Sequence, residues 1–280
     1  MTSVKHFIFN NQETQRMYYS AEVPQQVEME YYMKPFIAGV EAGAGSVMCS
    51  YNRINGTYAC ENPNTLKRLE KFSDRYFVMS DWGATHSGAK ALKAGLAMEM
   101  PFAAYMSMEE LKKALDDKSL PMKTVDGLVL RALKALKETG QLDGMYPGNT
   151  GSVYYNVTSP LQKMTATILA AESMILLWNQ FRAGNSVVVA TSKSGSSTSS
   201  LPLPLNPSTE KVETVGCGYP EMIVGGGGSG HVEPSHVVTV DEVLKKSGLL
   251  VEEGSGAPAA DATLFCFSTY SAENGDRANL

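Results

Sequence analysis

Through the first half of the chain, apolar runs of strand length alternate with segments of helical period, the order expected of repeated βα units. Lys5–Asn10, Ser46–Asn52, Arg75–Asp81 and Ala94–Met100 read as successive strands. Between the first two, the helix around Pro35 to Gly43 places Phe36, Ile37 and Val40 on one face and stops at glycine. Ser107 and Glu110 form a capping box for a helix over Met108–Leu115. After Pro121, the spacing of Val125, Leu128, Val129, Ala132, Leu133 and Leu136 predicts an amphipathic helix that ends at Gly140.

The pattern then breaks. A stretch rich in Gly, Tyr, Asn and Pro marks a linker over 143–160, which divides the chain into a first domain over 1–142 and a second over 161–280. The second domain opens on a helix, Leu161–Trp178, and carries strands at Lys211–Val215 and Asp261–Phe267. Between them the serine-rich segment Ser192–Ser200 has the composition of a mobile surface loop. The run Gly225–Gly228, with Ser229 and Gly230, invites a phosphate-loop reading but lacks the Lys and Ser/Thr pair of a nucleotide site. A flexible loop is the better expectation.

Composition narrows the function. The 280 residues, 43% hydrophobic and 19% charged, suffice for a full core in one large or two medium domains. A net charge of -5 offers no basic field to a phosphate backbone, so no nucleic-acid partner is expected. The most apolar helical run, Thr165–Trp178, is broken by Glu172 and Ser173 and falls short of the roughly 20 residues that cross a bilayer, so no membrane span is expected. His6, His86, His231 and His236 are scattered and no CxxC occurs, so neither a metal nor another cofactor is expected. Cys49 and Cys60 flank one loop, and spacing alone leaves a bridge and two buried thiols equally open.

The densest chemistry lies at Phe77, Val78, Met79, Ser80, Asp81 and Trp82, a short apolar strand ending in a carboxylate and an indole. In a barrel of parallel strands the C-terminal strand ends line the active site, which makes Asp81 a candidate nucleophile. In order and spacing, this segment joins the Lys5-His6-Phe7 triplet, the run Asn11 to Arg16, the segment Ser46 to Gly56, and Ala94 to Pro101. Together they resemble glycoside hydrolase family 3, the β-glucosidase and β-xylosidase group. The helix from Leu161, the Leu-Pro repeat at Leu201–Leu205 and the strand from Lys211 are similar to the start of that family's second domain. Ser271 to Arg277 resembles its Ser-Gly-Glu loop followed by Gly-Asp-Arg, with Ala272 in place of the usual glycine.

The resemblance implies an α/β fold: the C-terminal part of a (β/α)8 TIM-like barrel followed by part of an α/β sandwich domain. It implies a retaining β-glucosidase-like hydrolase with Asp81 as nucleophile and Glu273 as acid/base, meeting in an inter-domain cleft. Such a pair must lie about 5 to 5.5 Å apart. It further implies Lys5, His6, Arg16, Met48, Tyr51 and Trp82 as substrate-binding residues, a β-linked oligosaccharide or glucoside as substrate, and secretion. Two sequons, at Asn55 and Asn156, permit glycosylation in that setting. Local readings exist beside these: Tyr51, Trp82 and Met48 as packing residues, and Asp276 with Arg277 as an ion pair fixing their loop. Two features depart from the family. Ala97 stands where it normally has an aspartate, and the barrel-like part is far shorter than the roughly 250 residues of a complete barrel. The chain therefore reads as truncated at both ends, with an inactive remnant or completion in trans by another polypeptide as the alternatives.

Overall fold

The computed structural model describes residues 1–143, 156, 158–179, 203–218, 220–254 and 260–279. They fall into two compact units, 1–153 and 154–280. The serine-rich segment and most of the expected linker lie outside the described residues.

Unit 1 is organised by four parallel strands, β1 (Ser3–Phe7), β3 (Ser46–Cys49), β6 (Phe77–Ser80) and β7 (Leu96–Met98), in the order β1-β3-β6-β7. β3 is buried along its whole length, as a central parallel strand covered on both faces must be. Register sets Val47 beside Val4 and Val78, and Cys49 beside Phe7 and Ser80, so the C-terminal ends of β1, β3 and β6 align at one edge. Phe7, Ile8, Val47, Leu66, Leu69 and Leu96 are at most 1% exposed in one continuous core. Each such side chain contributes about 1.5–3 kcal/mol of transfer free energy.

The expected strands and helices are present with shifted ends, and the shifts have local causes. β7 starts at Leu96 because Gly95, at φ +123°, closes the helix Ala89–Ala94 directly before it. The helix expected to begin at Pro35 starts ten residues earlier, at Gln25, after Pro24. Glu28–Tyr32 is a π-helical turn, and this wider turn immediately upstream accommodates a proline that lacks the N–H an α-turn would use. The helices Met108–Asp116 and Met122–Glu138 form as expected, the first capped by Ser107, whose hydroxyl accepts from the Glu110 N–H.

Unit 1 also contains a small second sheet, not expected from sequence. β2 (Ser20–Ala21) pairs with β4 (Arg53–Ile54), which forms a hairpin with β5 (Thr57–Tyr58). Its two-residue turn, Asn55-Gly56, has positive φ at both positions, as a type I′ turn requires. The Asn55 carboxamide brackets Val23, accepting from its N–H at 2.8 Å and donating to its carbonyl at 3.1 Å, so the sequon asparagine is engaged on both sides. Cys49 and Cys60 are bridged, tying the end of β3 to the short helix after the hairpin.

Unit 2 contains a parallel sheet in the order β10-β8-β9, formed by β8 (Lys211–Val215), β9 (Leu250–Glu253) and β10 (Ala262–Phe265). The helix Val240–Lys246 precedes β9. A second disulfide, Cys217–Cys266, locks the ends of β8 and β10 together. The helix Pro160–Glu172 carries a full capping box from Ser159 and Gln162. It stops before the expected Trp178, where the Ser173 hydroxyl donates to the Ala170 carbonyl in competition with continued helix. Among the described residues, no helix is long and apolar enough to cross a membrane.

Candidate active site

In unit 1 the strand ends deliver their polar groups to one place. Ser80, fully buried, accepts from the Met100 N–H at 2.8 Å and so fixes the chain leaving β7 beside the chain leaving β6. The next residue, Asp81, donates its backbone N–H to the Cys49 carbonyl at 3.0 Å, extending the β3–β6 ladder by one residue. A tight turn follows, closed by the Ala84 N–H on the Asp81 carbonyl, with Gly83 at φ +81°. The Asp81 side chain is only 11% exposed. Its Oδ1 accepts the Trp82 N–H at 2.8 Å, and its Oδ2 lies 3.4 Å from His6 Nε2.

His6 comes from β1, two strands away, so it is the β1-β3-β6 order that brings it to Asp81. The chain leaving β1 is held by buried polar groups: the Ser50 hydroxyl and the Asn52 amide both donate to the Ile8 carbonyl, each at 3.1 Å. Arg16 pairs with Glu13 at 2.8 Å and lays its guanidinium 4.6 Å from the Tyr51 ring centre, a cation–π contact with a buried aromatic. Met48 is buried in β3 beside Met79. Trp82 is half exposed, and Lys5 is exposed.

Sequence reasoning missed Ser50, Asn52 and Ser80. Their signal was small polar residues closing apolar strands, where burial without a partner would be costly. It also missed a group that includes His86, shortly after the Asp81 turn in sequence. His86 stacks on Tyr58 with ring centres 3.5 Å apart, and Arg53 Nη2 donates to the Tyr58 hydroxyl at 3.0 Å. Burial, above all, holds the His86 imidazole below its ordinary range and keeps it neutral. Beside it the buried Glu61 receives Lys90 at 2.7 Å and the Ser87 hydroxyl. Among the described residues, no group of three or more His, Cys, Asp or Glu is arranged to hold a metal ion.

In unit 2, Glu273 lies on the loop after β10. The Gly227 N–H donates to the Ser271 carbonyl at 3.0 Å, and the Glu273 N–H returns to the Gly227 carbonyl at 3.2 Å. The Ser229 N–H and hydroxyl both reach Glu273 Oε2, at 2.8 and 2.6 Å. The glycine run expected as a flexible loop is thus paired with the Glu273 segment. Further along, Arg277 donates to the Thr269 hydroxyl at 2.8 Å.

The buried carboxylate at a parallel-strand end, with an imidazole from the strand two positions away in the same sheet, coincides with a family match. Residues 1–135 match the glycosyl hydrolase family 3 N-terminal domain. This segment is a family 3 domain. The wider chain is similar to a probable β-glucosidase L of Aspergillus terreus, 37% identical over 190 residues that cover 62% of this chain and 26% of that protein. Its fold matches β-glucosidase 3B from Thermotoga neapolitana, solved in complex with α-D-glucose, at TM-score 0.77 and 26% identity over 99% of this chain and 42% of that one. It also matches the β-D-glucoside glucohydrolase of Trichoderma reesei at TM-score 0.75 and 26% identity, again over 99% of this chain and 42% of the other. The family 3 domain and the residues after it thus form a mixed α/β chain with parallel sheets. The chain spans about a quarter of the length of the curated relative it matches.

Proposed function

We propose that this chain carries the machinery of a retaining β-glucosidase, acting on terminal non-reducing β-D-glucosyl residues in the breakdown of cellulose-type polysaccharides. In this reading unit 1 is the C-terminal part of a (β/α)8 barrel and unit 2 is part of an α/β sandwich domain. The observation that carries it is the His6–Asp81 contact at aligned strand ends of a family 3 domain.

The chemistry is a double displacement. An Asp81 carboxylate oxygen forms a bond to the anomeric carbon as the bond to the leaving oxygen breaks, and Glu273 gives that oxygen its proton. Water then attacks the same carbon, gives its proton to Glu273 and frees Asp81, so the sugar leaves with its configuration retained. The scheme requires the two carboxyls to come within about 5–5.5 Å of each other. His6 orients the nucleophile through Oδ2 and, with Lys5, binds sugar hydroxyls by charge-assisted donation. Trp82 supplies a flat apolar face to a sugar ring. In this reading Arg16, paired with Glu13 and stacked on Tyr51, orients the Lys5-His6 segment, and Met48 and Tyr51 lie close to the nucleophile. Two disulfides suit secretion, since such bonds persist in oxidising compartments.

Hydrolysis of a chromogenic β-glucoside by the purified chain, with the product's anomeric configuration followed by NMR, tests this directly. Asp81→Asn is expected to lower turnover at least about 1000-fold without unfolding the protein. The alternative reading is an inactive remnant or an assembly completed in trans by a second polypeptide. Folded material with no turnover alone supports that reading. Turnover that appears only with a second polypeptide supports completion in trans.

A further inference from the structure

We infer that Ser229 is a positioning residue for the Glu273 carboxyl, and that the glycine run before it is the structural means of placing it there. The inference rests on the acid/base reading of Glu273.

The glycines are required by close approach. A Cβ on Gly227 would collide with the Tyr270 hydroxyl, and one on Gly228, at φ +99°, with the Cβ of Glu273. The run therefore lies directly against the segment that carries the acid, joined to it by the reciprocal Gly227–Ser271 and Glu273–Gly227 backbone bonds. His231 braces the loop from the other side, its Nδ1 3.0 Å from the Gly226 carbonyl and its Nε2 2.8 Å from Glu233. The titratable and charged groups on the two segments are His231, Glu233, Tyr270, Asp276 and Arg277, and Ser229 makes two hydrogen bonds to the Glu273 carboxyl.

Ser229 suits a group that must change protonation twice per turnover. Its N–H donates to Oε2 whether the carboxyl is ionised or carries its proton on the other oxygen. Its hydroxyl donates to the same oxygen in both states, more strongly when the carboxyl is ionised than when that oxygen is the carbonyl of the acid. Two bonds to one oxygen fix the plane of the carboxyl through both steps, which general acid–base catalysis needs at the leaving oxygen and then at the water. They also engage the Ser229 N–H and hydroxyl, two donors that a phosphate-binding loop would present to an anion.

The test uses the whole chain, uniformly ¹³C-labelled at glutamate, with the Glu273 side-chain carboxyl resonance assigned by E273Q. Ser229→Ala is expected to raise the Glu273 titration midpoint by about one unit, since a donor to the charged form is lost. Ser229→Thr, which keeps the hydroxyl, is expected to stay within about 0.3 units of the wild type and controls for a fold that Ala alone disturbs. An Ala midpoint within that same margin, or a Thr midpoint displaced as far as Ala, overturns the inference. In turnover, S229A should lower kcat/KM about tenfold on an alkyl β-glucoside and less than about twofold on a dinitrophenyl one, which leaves without a proton. E273Q should show the same selectivity more strongly. E273Q without that selectivity defeats the acid/base reading, while the midpoint still decides whether Ser229 positions the carboxyl. E273Q with selectivity and S229A without it defeats the positioning role.

Discussion

The Cys49–Cys60 bridge ties stability to the site, because the Cys49 carbonyl accepts the backbone N–H of Asp81 at 3.0 Å. Replacing both cysteines with alanine leaves the β3–β6 ladder intact but frees the hairpin loop in the unfolded chain. With a sequence separation of 11, loop-closure entropy gives about 2.8 kcal/mol lost in the first unit. The same relation for Cys217–Cys266, separated by 49 residues, gives about 4.1 kcal/mol in the second unit. At a urea dependence of about 2 kcal/mol per molar, the first loss moves an unfolding midpoint down by about 1.4 M. Pulsed hydrogen exchange in urea, read peptide by peptide, reports the two units separately. C49A/C60A should lower the midpoint for peptides spanning β3 and β6 while leaving those spanning β8 and β10 unmoved. C217A/C266A should do the reverse, by the larger amount. A first-unit shift below about 0.3 M, or equal shifts in both units from either pair, refutes the reasoning.

Two further predictions concern unit 1. Arg68 reaches across to Glu28 in the π-helical turn, and the side chains are 20% and 6% exposed, so R68A leaves a buried carboxylate without its partner. The loss should be about 3–5 kcal/mol in urea unfolding, with R68M/E28L close to wild type; a loss under about 1 kcal/mol, or a double variant as weak as the single, contradicts it. His86 has a folded pKa below its unfolded value of 6.5, so below that pH the unfolded state takes up the proton first. Its contribution to stability is therefore full above pH 6.5 and declines as pH falls towards the folded pKa. H86F should flatten the stability profile in that window, and a profile identical to wild type would show that the imidazole is not held neutral.

The strand ladder was legible because parallel strands buried on both faces read as continuous apolar runs, and the helices because Ser107, Pro121 and Gly140 mark their limits. Pro35 misled because a proline is an expected first residue of a helix, and only the π turn upstream lets the chain pass through it. The Asn55-Gly56 hairpin had a local signal, but its strands are two residues each, too short to show alternation. Asp81 was visible as a carboxylate closing an apolar run. Its contact with His6 was not, since that depends on a strand order no local pattern encodes. Glycine at 225–228 suggested freedom, whereas the structure uses the missing side chains for close approach to Glu273.

The central claim, that Asp81 attacks the anomeric carbon, is tested most directly by incubating the chain with a 2-deoxy-2-fluoro-β-glucoside bearing a good leaving group and mapping the product by mass spectrometry. The fluorine slows breakdown of the glycosyl-enzyme more than its formation can be offset by the leaving group, so the covalent adduct should accumulate. The account predicts one fluoroglucosyl unit on the peptide spanning Phe77–Trp82, localised to Asp81 and absent in Asp81→Asn. An adduct on a different carboxylate, or turnover of a β-glucoside that persists in Asp81→Asn, would contradict it.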